Sequence, residues 1–486
     1  MKNIVRNSKV MMMLFSLFII LNLGCVSLEE NPLDFPSPEN FYSTEGQIVS
    51  ALTGSMGALY SQWSNYSYPW GAYHTDYNRN SSLVFSASHN NWIWRAHYQS
   101  IANLNSVIKA LNEDKLGGSV SQEKKDELMA QAKFLRGFNY FTLVRSYGDV
   151  PIITEETDPI ADEIIRQPIR DVYDFILADL NVAKDGLPLS WPENLAGRPS
   201  KDAALGLLAK VYLTMATAPL KDATSAPKAR DMAKQVIDNG VHDLVADIHE
   251  VFAIKNNLGP EFIFSWNATE DDIATPPQIW LPGSMAFGWS DFGLKKAWTD
   301  TYPDQPRKAA YMILENWDGF TWEDPEYGSW GGAPNVGKYV YDDRATLERL
   351  QSTANIPILR FADILLMFAE AENMVNGGPT QAAVDAVNRI IDRANAGAVN
   401  PAHPRVDISM TQAEFDAAVI QERAYELFFE FDRWYDLVRK EILCDVWDNQ
   451  LDVKPNCDPN DYLWPIPQAD LRLNDKMTQN PGYPTP

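Results

Sequence analysis

The sequence of 486 residues predicts a mainly α-helical protein in which pairs of helices form a frame and two irregular, aromatic-rich segments elaborate it. Two observations predict this fold class. Apolar residues recur at a spacing of three to four over long stretches, and recognisable helix starts and stops bound several of these stretches. Antiparallel helix pairs that stack to bury their apolar faces favour a tetratricopeptide-like arrangement, although no strict repeat of that length is present.

The longest helical pattern covers residues 121–147, and Gly148 and Pro151 follow it and end the helix. Its apolar positions at helical spacing are Leu128, Ala132, Leu135, Phe138, Phe141 and Val144. Similar patterns predict further helices at about 94–111, 168–184, 200–217, 227–239, 359–375, 380–396 and 411–440.

Several of the predicted helices carry capping signals. Ser200 follows Pro199 as an N-cap, and Thr411 with Glu414 fits a capping box. The Gly-Gly-Pro-Thr sequence at 377–380 predicts a turn between two consecutive helices. These signals support the helix boundaries independently of the apolar periodicity.

Two segments lack helical periodicity and are rich in aromatic residues, at about 60–93 and 241–355. The first contains the sequence WSNYSYPWGAYHTDY at 63–77, and the second is rich in tryptophan, glycine and proline. Loops on a rigid scaffold commonly carry binding residues. We therefore expect a ligand to bind in these two segments.

The N-terminus has the features of a secretion signal. Three basic residues precede an apolar run at 10–23 that is too short to span a bilayer, and Gly24-Cys25 follows it. The pattern predicts removal of residues 1–24 and acylation of Cys25, although Asn22 stands where lipoproteins usually have leucine. The alternative is an ordinary signal peptide with an incidental cysteine. Several acyl chains on one residue hold a protein on a membrane that it does not cross.

The mature protein is strongly acidic. The full chain has a formal net charge of -24, and removal of residues 1–24 takes away three basic groups and no acidic group, which gives -27. Such a surface repels nucleic acid. No nucleic-acid partner is therefore expected.

Common motifs of catalysis and cofactor binding are missing from the sequence. It contains no GxSxG elbow, no phosphate-binding glycine loop and no EF-hand loop, and His249-Glu250 lacks the second histidine of a zinc protease. The six histidines are scattered, so we expect no cofactor and no metal cluster, while a calcium site built from Asp and backbone oxygens stays open. Cys444 and Cys457 are a poor zinc pair and leave a disulfide or two free thiols as alternatives.

Four sequence blocks occur in the order of a known family. They are MAQAKFLRGFNYFTLVRSYGDVPII at 129–153, IPILRFADILLMFAEAEN at 356–373, IQERAYELFFEFDRWYDLVRKE at 420–441 and YLWPIPQADLRLNDKMTQNPGY at 462–483. Together with the lipoprotein start, they resemble the SusD/RagB family of outer-membrane nutrient-binding lipoproteins over most of the chain. The resemblance implies a helical frame with tetratricopeptide-like pairs and an irregular, ligand-binding half.

The resemblance also implies a domain organisation, with a signal peptide at 1–24 followed by one SusD-like domain at 25–486. Within that domain we expect a helical frame at about 94–240 and 356–441, loop-rich segments at about 60–93 and 241–355, and a C-terminal extension at 442–486. Members of the family are lipid-anchored at the cell surface, where they bind glycans or, in some branches, peptides. They are not enzymes, and they pass the ligand to a SusC-like TonB-dependent transporter of the outer membrane.

A glycan ligand determines which side chains are candidates for binding. A sugar ring presents a weakly polar face of C–H groups and a rim of hydroxyls, so flat aromatic rings cover the face while Asn, Asp and Arg bond the rim. The candidates in the two aromatic segments are Trp63, Trp70, Tyr73, Asp76, Asn78, Arg79, Trp280, Trp289, Trp317 and Trp322. The plain alternative is that these rings are core residues.

Three other functions are compatible with the sequence. These alternatives are a peptide-binding member of the same family, a lipid-anchored glycoside hydrolase, and a scaffold whose helix pairs bind another protein. A hydrolase needs two carboxyl groups facing each other across the glycosidic bond, one with a raised pKa. Among 65 acidic residues the sequence alone does not exclude such a pair.

The block at 422–439 has a mainly structural interpretation. Its apolar residues can bury a wide helical face, and its charged residues, Glu426 and Arg433 among them, are expected to pair in neighbouring turns. Arg136 and Arg145 are expected to hold loop carbonyls or carboxylates rather than ligand.

Overall fold

The computed structural model describes residues 41–63, 75–78, 87–158, 160–268, 277–328, 333–340, 344–349, 352–430, 432–447 and 457–486. The chain divides into two units, Met1–Ser43 and Thr44–Pro486, and every element named below belongs to the second. The predicted signal peptide and Cys25 lie outside the described residues. In the part of the chain that is described, no helix combines the length and the apolar character needed to cross a bilayer.

The fold is mainly helical, which confirms the predicted fold class. The helices of the frame are α1 (Glu45–Trp63), α2 (Ala87–Asn112), α3 (Gln122–Tyr147), α4 (Ile169–Gly186), α5 (Lys201–Ala216), α6 (Ala226–Asn239), α10 (Phe361–Asn376), α11 (Gln381–Ala394) and α12 (Gln412–Glu426). The shorter helices are α7 (Lys296–Thr301), α8 (Pro306–Tyr311), α9 (Arg344–Glu348), α13 (Arg433–Arg439), α14 (Leu443–Trp447) and α15 (Gln468–Leu473).

Each helix of the frame packs against its neighbour in sequence from α1 to α6, and α6 then packs against α10, which contacts both α11 and α12. Neighbouring helices lie close together where a small residue of one helix faces the other helix. A Cβ atom on Gly137 of α3 would lie 2.9 Å from Cδ2 of Leu180 in α4, so a larger residue there forces the two helices apart.

Two short strand pairs organise the irregular segment. β1 (Phe262–Trp266) and β4 (Ile356–Arg360) pair antiparallel, with Phe262 opposite Arg360 and Trp266 opposite Ile356. Both strands contact α5, so the chain leaves the frame and returns to it at the same place. β2 (Met312–Ile313) and β3 (Asn335–Val336) pair within the segment itself.

The capping signals read from the sequence are confirmed. The Ser200 side chain accepts a hydrogen bond from the Ala203 N–H group, and Thr411 with Glu414 forms a reciprocal capping box. Gly377 ends α10 in the left-handed conformation, with φ of 68°, and Thr380 caps the start of α11.

The predicted single helix at 411–440 is wrong, because the chain breaks between α12 and α13. Phe429 adopts a left-handed φ of 56° inside the break. Its N–H group donates to Tyr77 Oη at 3.0 Å, and its carbonyl oxygen accepts from Tyr339 Oη at 2.8 Å. Contacts from two distant segments therefore replace the hydrogen bonds that a continuous helix would make.

The irregular character expected at about 60–93 also needs correction. Helix α1 extends to Trp63, and α2 begins at Ala87 rather than near 94. Helix α1 was not predicted from the sequence, because its three glycines lower the helix propensity. Burial of Leu52 and Leu59 compensates for them, since α1 packs on α2.

Charged residues of the 422–439 block pair mainly with distant elements rather than with neighbouring turns. Glu426 accepts hydrogen bonds from Arg307 at 2.9 Å and from Arg393 at 2.8 Å, and Arg360 pairs with Glu430 at 2.7 Å. All five side chains are buried. The expectation of local pairs is wrong for Glu426 and Glu430, because these charges join α8, β4, α11 and α12 in the core. It is confirmed for Arg439, which pairs with Asp436 at 2.7 Å.

Arg136 confirms the structural role expected of it. Its guanidinium donates to both carboxylate oxygens of Asp179, at 2.6 and 3.0 Å, and also pairs with Glu155. Cys444 and Cys457 form a disulfide, which settles the alternative that the sequence left open.

Candidate ligand-binding surface

Residues 282–290, with the sequence PGSMAFGWS, form a loop in an unusual conformation, which we call the aromatic loop. Ala286, Phe287 and Ser290 have positive φ angles of 43°, 54° and 54°. Side chains other than glycine rarely adopt this region, and each such residue costs roughly 1–3 kcal/mol. Strain concentrated in five residues indicates that the surrounding structure enforces the path of this loop.

Backbone contacts hold the aromatic loop in place. The Trp289 N–H group donates to the Gln278 carbonyl at 2.7 Å, and the Ser290 N–H group donates to the Leu281 carbonyl at 3.0 Å. A Cβ atom on Gly288 would lie 2.3 Å from the Leu281 carbonyl oxygen, so only glycine fits there.

The loop places two aromatic side chains in solvent. Phe287 is 83% exposed and Trp289 is 44% exposed, whereas the neighbouring Met285 and Ala286 are buried. Contiguous exposed apolar patches often mark interaction sites. The loop therefore presents two aromatic rings at the protein surface.

Residues 314–322, with the sequence LENWDGFTW, form a second structure of the same kind, the aromatic hairpin. The Trp322 N–H group donates to the Leu314 carbonyl at 3.0 Å, and the Asn316 N–H group donates to the Phe320 carbonyl at 2.9 Å. Trp317 and Trp322 are half-buried, and Phe320 is exposed. The hairpin thus presents three rings within six residues.

Hydrogen bonds join the aromatic loop to the aromatic hairpin. Asn316 of the hairpin donates through Nδ2 to Ser284 Oγ at 2.9 Å, and Ser284 Oγ donates to the Tyr327 carbonyl at 2.7 Å. Trp317 and Trp322 pack against a shared apolar cluster of Leu281, Met285, Ala286, Ile313, Tyr327 and Leu347. Loop and hairpin therefore form one continuous unit, which we call the aromatic surface.

Two cations lie over rings of the aromatic surface. Lys296 Nζ is 4.9 Å from the centre of the Trp322 ring, and Arg344 Cζ is 4.6 Å from that of Trp317. Each cation is also paired with a carboxylate four residues later in its own helix, at 3.0 Å for Lys296 and 2.8 Å for Arg344. These cations therefore orient the indoles and add little net positive charge.

Exposed carboxylates accompany the rings of the aromatic hairpin in the sequence. The acidic side chains of the hairpin and of the turn after it are Glu315, Asp318, Glu323, Asp324 and Glu326, all exposed. Carboxylates accept hydrogen bonds from hydroxyl groups. Rings with acceptors beside them match a ligand that has apolar C–H faces and a hydroxyl rim.

Comparison with known proteins identifies the family of the chain. Residues 314–483 match the SusD family, and residues 40–213 match a family described as starch-binding associating with outer membrane. SusD-like protein P2 of Formosa agariphila is 30% identical, over an alignment that covers 96% of this chain and 99% of the relative. The chain belongs to the SusD family.

Solved structures agree with this assignment. A SusD homologue from Bacteroides thetaiotaomicron has a TM-score of 0.77 at 22% identity, with 92% of this chain and 98% of that chain covered. Surface glycan-binding protein A from Bacteroides fluxus has a TM-score of 0.73 at 23% identity, with coverages of 90% and 100%. The resemblance to SusD/RagB proteins and the fold it implied are thus confirmed.

In the structure of this SusD-family chain, three of the predicted rings lie together at the surface and a fourth is buried. Trp289, Trp317 and Trp322 belong to the aromatic surface. Trp280 is fully buried, with ring centres 4.9 Å from Phe292 and 4.8 Å from Tyr339. The prediction of Trp280 as an exposed platform is therefore wrong, because its ring fills the aromatic core.

Two of the predicted polar residues are also part of the core. Asp76 is buried and forms a two-point ion pair with Arg433. Burial alone would raise the pKa of Asp76, but the Arg433 guanidinium holds it below its ordinary value. Asn78 is fully buried, and its backbone bridges to Leu294. Both residues fix the course of the chain, which corrects the expectation that they bond a ligand from the surface.

The remaining candidates of the first aromatic segment lie outside what the structure describes. Trp63 is the last residue of α1 and its side chain is not described, and Trp70, Tyr73 and Arg79 fall in the gaps at 64–74 and 79–86. Their role in binding stays a prediction.

Phe287 and Phe320 are surface rings that were not among the predicted candidates, most of which were tryptophans. A signal was present, since both phenylalanines stand next to glycine in turn-rich sequence, Phe287-Gly288 and Gly319-Phe320. Apolar rings in such polar, turn-rich contexts are poor candidates for a core.

The described residues include no group of His, Cys, Asp or Glu side chains arranged to hold a metal ion. Carboxyl groups with a raised pKa are found at Asp202, Asp416 and Asp470, where burial is the main cause. All three belong to frame or C-terminal helices. None of them is part of the aromatic surface.

Proposed function

We propose that the protein is a cell-surface lipoprotein that binds oligosaccharide or polysaccharide and delivers it to a SusC-like TonB-dependent transporter of the outer membrane. The single observation that carries the glycan proposal is the aromatic loop, whose strained and glycine-dependent path presents Phe287 and Trp289 to water. The hairpin rings and carboxylates extend this surface in the way that a sugar chain requires.

The relatives support the same ligand class. One matching family is described as starch-binding associating with outer membrane, and one structural neighbour is a surface glycan-binding protein. The acidic rim favours neutral sugars over anionic ones, since like charges repel. Trp63, Trp70, Tyr73 and Arg79 are proposed as further contacts in the first aromatic segment.

The proposed anchor is the acylated Cys25, left at the N-terminus after cleavage of residues 1–24. An anchored binding protein keeps its ligand beside the outer membrane, where the transporter takes it up. The expected partners are therefore a glycan, a SusC-like transporter and the outer membrane. Replacement of Cys25 by Ala should release the protein from membrane fractions, and labelling of the wild type with radioactive palmitate should report the acyl chains.

The carboxyl groups with a raised pKa, at Asp202, Asp416 and Asp470, belong to helices outside the aromatic surface, which supports a binding role without catalysis. A hydrolase would need one such group beside the bound sugar. The alternative family role, peptide binding, predicts instead that peptides and not polysaccharides occupy the aromatic surface.

Native gels cast with soluble polysaccharides test the glycan proposal. A glycan binder is retarded by at least one neutral polysaccharide and releases no reducing sugar from it. Phe287→Ala and Trp289→Ala should each abolish most of the retardation, while Trp92→Ala, which removes a similarly exposed ring on α2, should leave it unchanged. Equal retardation of wild type and both surface variants would contradict the proposal.

A further inference from the structure

A cavity of ≈ 300 Å³ lies apart from the aromatic surface, between α1, β1 and the connection from α4 to α5. Binding sites for small molecules are commonly concave and largely apolar, with a few polar groups that fix the ligand. The volume of this cavity lies at the lower end of the range for such sites.

Buried apolar side chains form most of the cavity wall. The buried apolar residues that line it are Leu52 of α1, Leu135 of α3, and Phe264 and Trp266 of β1. Walls of this kind favour a ligand with an apolar body.

A buried hydrogen-bond donor faces the cavity without a partner. Gln131 of α3 lines the cavity and is 4% exposed, and its Nε2 atom makes no hydrogen bond within the part of the chain that the structure describes. Buried donors are nearly always paired. Gln131 therefore indicates that an acceptor atom belongs in this cavity.

Arg198 is the only charged side chain among the described residues that line the cavity. Its guanidinium lies over the Trp191 ring, 5.6 Å from the ring centre, and forms no ion pair with a described carboxylate. A guanidinium without a carboxylate partner among the described residues is notable in a chain with a net charge of -24. Guanidinium groups bind carboxylates with two parallel hydrogen bonds.

The rim of the cavity near Arg198 is firmly placed. Gly197 has a φ of 89°, and a Cβ atom there would lie 2.2 Å from Asn267 Nδ2. Asn267 Oδ1 in turn accepts from Ser265 Oγ at 2.8 Å and from Asn355 Nδ2 at 2.9 Å. The residue before Arg198 is thus fixed against the end of β1, so the backbone that carries Arg198 is held at the rim of the cavity.

We infer that this cavity binds a small carboxylate with an apolar body, with Arg198 and the Gln131 amide as the groups that receive the carboxylate. The site is separate from the aromatic surface, and its ligand differs from a glycan in both charge and polarity. A binding protein with two such sites takes up a second class of ligand or couples the second ligand to glycan capture.

Isothermal titration of the full mature chain with octanoate, below its micelle concentration, tests the inference. We expect saturable binding of one octanoate per chain, and at least tenfold weaker binding of octylamine and 1-octanol, which have the same body and lack the carboxylate. Arg198→Gln should weaken octanoate binding at least tenfold. Neutral polysaccharide should still be bound by that variant, so that a failure of this inference and a failure of the glycan proposal are distinguishable.

A matched pair of glycine variants on α1 tests the location. Gly57 lines the cavity and a Cβ atom there meets nothing within 4 Å, so Gly57→Leu should fill the cavity and abolish octanoate binding. Gly54 on the same helix has equal room but does not line the cavity, so Gly54→Leu should bind octanoate normally. Absence of saturable binding to the wild type, equal affinity for octanoate and 1-octanol, or normal binding by Gly57→Leu would each overturn the inference.

Discussion

Trp280 and Trp289 belong to the same irregular segment and have opposite environments. Trp280 is fully buried among Phe292, Tyr339 and Phe429, whereas Trp289 is 44% exposed on the aromatic loop. The backbone between them turns through the strained positions of the loop. The comparison teaches that the path of the backbone, rather than the residue type, decides whether a ring here is part of the core or lies at the surface.

The same contrast separates the frame from the aromatic surface. In the frame, buried ion pairs such as Arg360–Glu430 and Arg393–Glu426 connect elements that are distant in sequence. On the aromatic surface, the ion pairs of Lys296 and Arg344 are exposed, and backbone hydrogen bonds and one essential glycine fix the geometry. Changes in the frame should therefore alter stability, and changes on the surface should alter binding.

Glu426→Gln should cause a large loss of stability. The change leaves the buried cations Arg307, Arg360 and Arg393 without the charge that they share, and breaking a buried ion pair costs about 3–5 kcal/mol. Urea unfolding should show this loss in the free energy of unfolding. Lys234→Met, which breaks the exposed pair with Asp238, should change that free energy by less than about 1 kcal/mol. Similar effects of the two changes would break the comparison.

The buried carboxylates also predict how stability depends on pH. Burial alone would raise the pKa of Glu426, but Arg393, Arg360 and Arg307 hold it well below its ordinary value of 4.5. Arg439 and Lys440 do the same for the pKa of Glu370. Because both pKa values are lowered by folding, their stabilising contribution is complete above pH 4.5 and is lost as the pH falls below it.

Urea unfolding at a series of pH values checks this dependence. The free energy of unfolding should fall steadily below pH 4.5, and the fall should be less steep in Glu426→Gln, which has one fewer carboxyl group to protonate. An unchanged slope in the variant would show that Glu426 does not contribute.

Gly288→Ala should act on the aromatic surface with a smaller effect on stability. The new methyl group would meet the carbonyl oxygens of Leu281 and Pro282 at 2.3 Å, and crowding of this kind costs roughly 1–3 kcal/mol. Because the loop must move to relieve the contact, retardation by polysaccharide should be lost while the frame stays folded. Gly54→Ala, at an open helical position, is the control and should preserve both properties.

Thr411→Ala should give the smallest of these effects. The Thr411 side chain accepts from the Glu414 N–H group in the capping box of α12, and loss of such a cap costs about 1 kcal/mol. The melting temperature should fall slightly and polysaccharide binding should not change. A loss of binding in this variant would show that the frame and the surface are coupled.

The sequence predicted those parts of the molecule that depend on local signals. Helix α3 and the caps at Ser200 and Thr411 follow from periodicity and from residues within one turn. The break at Phe429 was not predictable, because its partners Tyr77 and Tyr339 come from segments far away in the chain.

The candidate site shows the same limit. An aspartate such as Asp76 is usually found at the surface. Only the fold shows that Asp76 pairs with Arg433, which is 357 positions later in the chain. Trp280 and Trp289 have similar neighbours in the sequence, so their different burial is evident only from the path of the backbone in the fold. Composition alone located the aromatic segments but did not separate core rings from surface rings.

The most direct test of the account compares Trp280→Ala with Trp289→Ala, with urea unfolding and titration with a retarding polysaccharide done on both. Trp280→Ala should lose about 3–5 kcal/mol of unfolding free energy. Trp289→Ala should keep that free energy and lose roughly 1–3 kcal/mol of binding, by analogy with the stacking of bases on aromatic side chains. Loss of stability without loss of binding in Trp289→Ala would contradict the assignment of the aromatic surface to ligand.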